Sequence, residues 1–134
     1  SLFGNFDLLG HEKIYKVCIV TNSQIANADC EDIIKSGNQY YYTGSKEEIK
    51  NTFKNLHNID GVILYFQNSN LEELVDFYKI ESYQGGDVDN LSMYYGYSPY
   101  YKDYNIINNK KINVQIAIGA QEIIVGFPAI LTGF

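Results

Sequence analysis

The spacing of apolar positions changes several times along the chain, and each change marks an element. From Ile14 to Thr21 the run IYKVCIVT is compact and β-branched, which predicts a buried strand. Before it, Leu2, Phe3, Phe6, Leu8 and Leu9 are scattered between glycines without a period and predict an irregular arm or a short helix. Between 24 and 36, Ile25, Ala28, Ile33 and Ile34 recur around Asp29, Glu31 and Asp32, a helical spacing stopped at Ser36-Gly37. QYYYT at 39–43 reads as a strand ended by Gly44-Ser45.

Two helices carry clearer signals. Ser45 and Glu48 have the capping-box spacing, in which each side chain satisfies a free backbone N–H of the other residue. A helix over about 46–57 follows, with Ile49, Phe53 and Leu56 on one stripe and Lys50, Asn51, Lys54 and Asn55 facing out. Ser69 and Glu72 repeat the spacing ahead of Leu71, Leu74, Val75 and Tyr78. Between these helices VILYF at 62–66 is uninterrupted by polar residues, as a central strand requires.

The last third is β-rich. An extended piece at 80–84 leads to Gly85-Gly86-Asp87-Val88-Asp89-Asn90, a dense turn signal. LSMYYGY (91–97), a stretch near 103–107, INVQIAI (112–118) and EIIVGF (122–127) then read as strands, with Asn108-Asn109 and Gly119-Ala120-Gln121 at hairpin lengths. In INVQIAI, Ile112, Val114, Ile116 and Ile118 alternate with Asn113, Gln115 and Ala117, which predicts one buried and one solvated face. The pattern as a whole predicts an α+β fold: an antiparallel sheet, two or three amphipathic helices on one side, and a C-terminal β-meander.

Length bounds this to a single α+β domain over 1–134, large enough to bury a core without disulfides. No apolar run is long enough to span a bilayer, so no membrane insertion is expected within this segment. The first residue is Ser, consistent with a piece cut from a longer chain that carries an upstream anchor or signal.

Charge narrows the partners. Sixteen acidic residues against ten basic ones give −6, the wrong sign for tracking a phosphate backbone, so nucleic acid is not an expected partner. All ten basic residues are Lys, and without Arg there is no planar fork for bidentate contacts to anions. The heavy use of Ile, Asn, Tyr and Lys reads as translation from an AT-rich genome, which accounts for part of the tyrosine richness.

The tail YSPYYKDYNIINNKKINVQIAI, preceded by Gly96 and followed by IIVGFPAIL, resembles the C-terminal segment of the YwmB-like proteins, a family from Gram-positive bacteria. The shared elements are a Gly-Tyr strand, an Asn-bearing alternating strand and a final apolar strand ending in a Gly/Thr-Pro-Ile-type turn. The resemblance covers about the last 40 residues. It implies a curved antiparallel sheet with helices on one side, similar to the TATA-binding-protein architecture, and work at or outside the membrane. It carries over no catalytic residue, and the acidic charge argues against DNA binding.

Candidate chemistry concentrates in YYGYSPYYKDY (94–104), where Tyr94, Tyr95, Tyr97, Tyr100, Tyr101 and Tyr104 offer flat faces with polar edges. Such residues suit glycan rings, protein partners or packing across a sheet. Strand alternation sends Tyr95 and Tyr97 to one side and Tyr94 to the other, so all six cannot share a surface. A second candidate is the apolar terminus, where Phe127, Ile130, Leu131 and Phe134 form a partner or homodimer patch if they project, and a core strand if they do not.

Enzymatic signals are sparse. Asp87, Asp89 and Asn90 lack the next oxygen ligand of a calcium loop, because Leu91 stands there. Cys18 and Cys30 match no metal or redox spacing and are either a disulfide or two free thiols with Cys18 buried. A thiol-dependent enzyme pairing Cys30 with His57 needs the fold to bring them together. Glu47-Glu48 and Glu72-Glu73 sit in first helical turns, where they complement the dipole. No cofactor or metal motif is present in the sequence. The expected function is a non-enzymatic protein-interaction or structural module of an envelope-associated bacterial protein, with glycan binding through 94–104 as the alternative.

Overall fold

Where the chain must satisfy its backbone groups, nearly all of it does so by antiparallel pairing. The computed structural model describes residues 6–53, 59–88 and 91–130. The first half runs β1 (Ile14–Thr21), β2 (Asp32–Ser36), β3 (Gln39–Gly44), α1 (Lys46–Phe53), β4 (Gly61–Phe66) and α2 (Leu71–Phe77). The second runs β5 (Glu81–Val88), β6 (Leu91–Tyr97), β7 (Asn105–Ile107), β8 (Lys110–Ile112), β9 (Val114–Ile118) and β10 (Ile123–Phe127). Eight strands form one antiparallel sheet in the order β2-β3-β1-β4-β10-β9-β6-β5, and β7-β8 form a separate ribbon. This is the expected α+β fold.

Both helices cover the same side of the sheet. Ile49 and Phe53 of α1 and Leu74 of α2 share a buried cluster with Val17, Ile19, Leu64 and Val125, which alternation sends to one face. α1 is capped as its spacing predicts, with Ser45 N–H donating to Glu48 Oε1 at 2.8 Å and Glu48 N–H to Ser45 Oγ at 3.1 Å. The expected continuation through Leu56 and His57 lies outside the described residues. α2 is capped one residue later than expected: Asn70 Oδ1 accepts the Glu73 N–H at 2.9 Å. Asn does the work assigned to Ser69 because it is the last extended residue before the helix.

The arm that precedes β1 is an irregular turn rather than a helix, locked onto the helix layer. Leu8 and Leu9 are buried, the Tyr78 hydroxyl donates to Leu8 O at 2.7 Å, and Lys50 Nζ meets Asp7 Oδ2 at 3.0 Å. His11 donates through Nε2 to Glu73 Oε1 (3.1 Å) and accepts the Lys13 N–H at Nδ1 (3.1 Å).

Three expectations are corrected. Residues 24–36 are not helical: 32–36 form β2, an exposed rim strand folded onto β3 by the Gly37-Asn38 turn. Gly37 at φ 61° supplies the left-handed step this turn needs, and the Tyr42 hydroxyl, accepting from Ile25 N–H and donating to Ser23 O, pins the preceding loop open. Gly85-Gly86 are not a turn but part of β5, opposite Tyr94 and Met93. A Cβ on Gly85 would stand 2.3 Å from both Met93 O and Tyr94 Cδ1, so glycine is there for close approach. Asp89 and Asn90 lie outside the described residues.

The third correction concerns the face away from the helices. Asn113, Gln115 and Ala117 are buried, not solvated. Beyond β10 the chain doubles back: Ile130 N–H donates to Gln115 Oε1 at 2.8 Å, and Ala129 O would lie 2.3 Å from a Cβ on Gly126. On the same face Cys18, Val20 and Ile63 form a second buried cluster with Tyr41, Tyr65 and Ile124 against it. Because β10 lies between β4 and β9, Phe127 is fully buried against Tyr78 and Tyr101 and belongs to no exposed edge. Ile130 is half-buried, and Leu131 and Phe134 lie outside the described residues.

Candidate site at the projecting ribbon

Between β6 and β9 the chain leaves the sheet and returns, and a buried polar clamp closes the excursion. Asn113 Oδ1 accepts the Ser98 N–H at 2.8 Å, while its Nδ2 donates to Ser98 O (2.8 Å) and Tyr101 O (2.9 Å). Asn113 N–H donates to Gly96 O, and Ser98 Oγ donates to Tyr78 O at 2.6 Å. Asn113 therefore satisfies in one side chain the backbone groups that leaving the sheet would orphan. In the sequence it looks like a solvent-face polar residue, and only its place at the mouth of the excursion gives it this role.

Within the excursion the short strands β7 and β8 meet around Asn108-Asn109, both in the left-handed region at φ 51° and 63°. Asn tolerates that conformation, and two such residues make the turn that suits a twisted hairpin. The ribbon carries Ile106 and Ile107 at 64% and 51% exposure. Ile106 stands opposite Lys111 and Ile107 opposite Lys110, so each face of the ribbon has one apolar and one cationic side chain.

The six tyrosines divide into two sets of three. Tyr94 shares the helix face with Ile116, Tyr100 stacks on Phe6 (centroids 3.8 Å, planes 7° apart), and Tyr101 packs on Phe127 at 5.5 Å. Burial first, then Asp103 and Asp60, push the Tyr101 hydroxyl up to about 12. The other three lie outward. Tyr95 is 44% exposed, its hydroxyl accepting from Gln115 Nε2, and Tyr97 and Tyr104 meet edge to face at 6.1 Å. Lys111 Nζ lies 4.8 Å from the Tyr104 ring centroid and 5.6 Å from that of Tyr97, so a cation on two aromatic faces fixes the base of the ribbon. Tyr104 is itself 43% exposed.

On one face Ile106 thus joins Lys111, Tyr104 and Tyr97 in a mixed aliphatic and aromatic surface, while Ile107 projects from the other face beside Lys110. Lys102, Lys110 and Lys111 against the single Asp103 give it local positive charge on a chain of net −6. Ile106 and Ile107 gave no signal on their own: a β-branched pair beside a turn reads the same whether it packs or projects.

Elsewhere, an open cleft of about 490 Å³ is lined by Phe66, Asn68, Ser69, Ile118, Gln121 and Glu122, and none of the six tyrosines reaches it. The cysteines are free. Burial pushes the Cys18 thiol up, and burial with Glu48 and Asp29 pushes Cys30 up to about 11, so both are protonated at neutral pH. His57 lies outside the described residues. Among the described residues no group of three His, Cys, Asp or Glu is placed to hold a metal ion, and no helix is long and apolar enough to cross a membrane. Comparison with known proteins finds no matching family model, curated protein or solved structure.

Proposed function

We propose that this chain is a non-enzymatic protein-binding module whose contact surface is the β7–β8 ribbon with Tyr97 and Tyr104 at its base. The observation that carries this reading is the exposure of both Ile106 and Ile107 on a ribbon held out from the sheet by a buried clamp. Clustered apolar side chains with aromatic and cationic neighbours are the composition of an interface core. The three lysines favour a partner segment that presents carboxylates around an apolar patch.

The test places a photo-crosslinking amino acid at position 106 and compares it with one at Glu12, an exposed position in the arm that precedes β1. A protein adduct at 106, absent at 12 and lost in the Ile107→Asp background, supports the reading. The alternative is a glycan surface, favoured by Tyr95, Tyr97 and Tyr104 lying outward. Because the chain has no Trp, tyrosine emission reports directly on glycan titration. A saturable change abolished by Tyr104→Ala, with no adduct at 106, would replace the protein partner with a sugar.

A further inference from the structure

Tyr78, the C-terminal cap residue of α2, is fully buried and tied to two segments remote from it in the chain. Its hydroxyl donates to Leu8 O at 2.7 Å, in the arm that precedes β1. Its carbonyl accepts the Ser98 hydroxyl at 2.6 Å, where the excursion that carries the ribbon leaves the sheet. A second connection runs beside the first. The Phe6 ring lies flat on Tyr100, with centroids 3.8 Å apart, and meets Phe77 and Tyr78 edge to face at 5.4 and 6.0 Å.

Tyr100 belongs to the turn from which the ribbon starts. Its N–H donates to Ser98 Oγ at 3.2 Å, the Tyr101 N–H donates to Ser98 O, and Asn113 holds the carbonyls of Ser98 and Tyr101. Both ends of the ribbon therefore leave from one hydrogen-bonded unit, and the arm touches that unit at Tyr100 directly and at Ser98 through Tyr78. The arm itself is held differently from the sheet. Residues 6–12 belong to no helix or strand, so side chains rather than a ladder keep them in place: Leu8 and Leu9 are buried, Lys50 pairs with Asp7, and Lys46 Nζ donates to His11 O at 2.9 Å. A segment fastened in this way opens at lower cost than a paired strand.

We propose that the arm is a strap that positions the ribbon, and that releasing it loosens the surface carrying Ile106 and Ile107 while the sheet stays folded. Phe6 is the positioning residue, and it acts through Tyr100. Coupling of this kind is reciprocal, so whatever fixes the ribbon also holds the arm down. That a loosened ribbon binds its partner less well rests on the protein-binding reading; the coupling of arm to ribbon does not.

Amide hydrogen exchange tests this, with β4 as the reference within each variant. Phe6→Leu keeps an apolar side chain but removes the flat face. It is expected to speed exchange across residues 105–112 by about 2- to 10-fold, the equivalent of one aromatic pair, with β4 unchanged. Phe6→Tyr keeps the stack and is expected to leave the ribbon at the parent's rate. In a Tyr100→Leu background Phe6→Leu is expected to add nothing at the ribbon, because the residue it acts through is already lost. Equal acceleration in β4, acceleration confined to residues 6–13, failure of Phe6→Tyr to preserve the parent's rate, or an undiminished effect in the Tyr100→Leu chain overturns the proposal. The photo-crosslinking residue at 106 separates it from the binding reading. A protein adduct that weakens with Phe6→Leu supports both. Ribbon exchange that responds while the parent forms no adduct overturns the partner and leaves the strap; an adduct with unresponsive exchange overturns the strap alone.

Discussion

β2 and β10 each carry an Ile-Ile pair in a five-residue strand, and the sheet treats them oppositely. Ile33 and Ile34 of β2 are about half exposed, whereas Ile123 of β10 is buried and Ile124 lies partly buried against Ile63. Their β-branched residue types favour an extended chain in both, although the spacing around Ile33 and Ile34 reads as helical. Position supplies the difference. β10 has a hydrogen-bonded neighbour on each side, a helix layer on one face and its own returning chain on the other. Among the described residues β2 has one neighbouring strand, and α1 packs on β1 and β3 instead. Strand propensity therefore predicts conformation, while burial, and with it energetic weight, follows from strand order.

The contrast can be broken in order of expected size. Leu64→Ala in β4, fully buried beneath the helix layer, is expected to cost about 2–5 kcal/mol, read as a fall in the urea midpoint at constant slope. A loss below about 1 kcal/mol would mean that the centre of the sheet is no more demanding than its rim.

Next comes Gly126→Ala in β10, where the new Cβ would meet backbone atoms of Ala129 that cannot swing aside. A cost of about 1–3 kcal/mol is expected, with Gln115 becoming more exposed to solvent as the returning chain lifts. Of similar size, Asn113→Ala leaves the buried Ser98 N–H without its partner and should cost about 1–3 kcal/mol. Here hydrogen exchange distinguishes the regions: it should accelerate across residues 98–113 before it does in β4, and uniform acceleration would show that the clamp serves the whole sheet.

Alkaline pH sharpens the comparison through thiols and phenols that the fold keeps protonated. Burial raises the Cys18 and Tyr78 groups, Cys30 is raised to about 11 and Tyr101 to about 12. The unfolded chain releases these protons at lower pH than the folded one does, so their contribution is intact below about pH 8.5 and is lost as pH rises toward 12. The thermal midpoint should fall across that window, and Tyr101→Phe should make the fall shallower. The smallest effects belong to the periphery. Ile34→Thr and Ile106→Thr should each stay within about 0.5 kcal/mol of the parent, because neither side chain loses much buried area.

Local signals were legible wherever a few neighbouring residues settle the outcome. The Ser45–Glu48 box, the β-branched run 14–21, the uninterrupted 62–66 and the Asn108-Asn109 turn all act through sterics and hydrogen bonds within a few residues, and each appears within a residue of where its pattern placed it. The misread segments are those where a distant partner outweighs local preference. Residues 24–36 have a helical spacing, but β3 offers their backbone a ladder and Tyr42 ties down the loop. Gly85-Gly86 look like a turn until β6 is brought alongside. The tyrosine cluster was legible as a cluster, and alternation correctly separated Tyr94 from Tyr95 and Tyr97. It could not place Tyr100 and Tyr101, whose partners Phe6 and Phe127 are remote in the chain.

By itself, then, the sequence determined the α+β class, the antiparallel meander, the cap of α1 and the acidic, arginine-free composition, since periodicity, capping and charge are properties of neighbouring residues and of totals. Tertiary structure alone decided that β2 became a rim and β10 a centre, that Gln115 and Asn113 were buried in hydrogen bonds, and that Ile106 and Ile107 projected. Those outcomes depend on which strand lies beside which, a choice made by the whole core competing for burial.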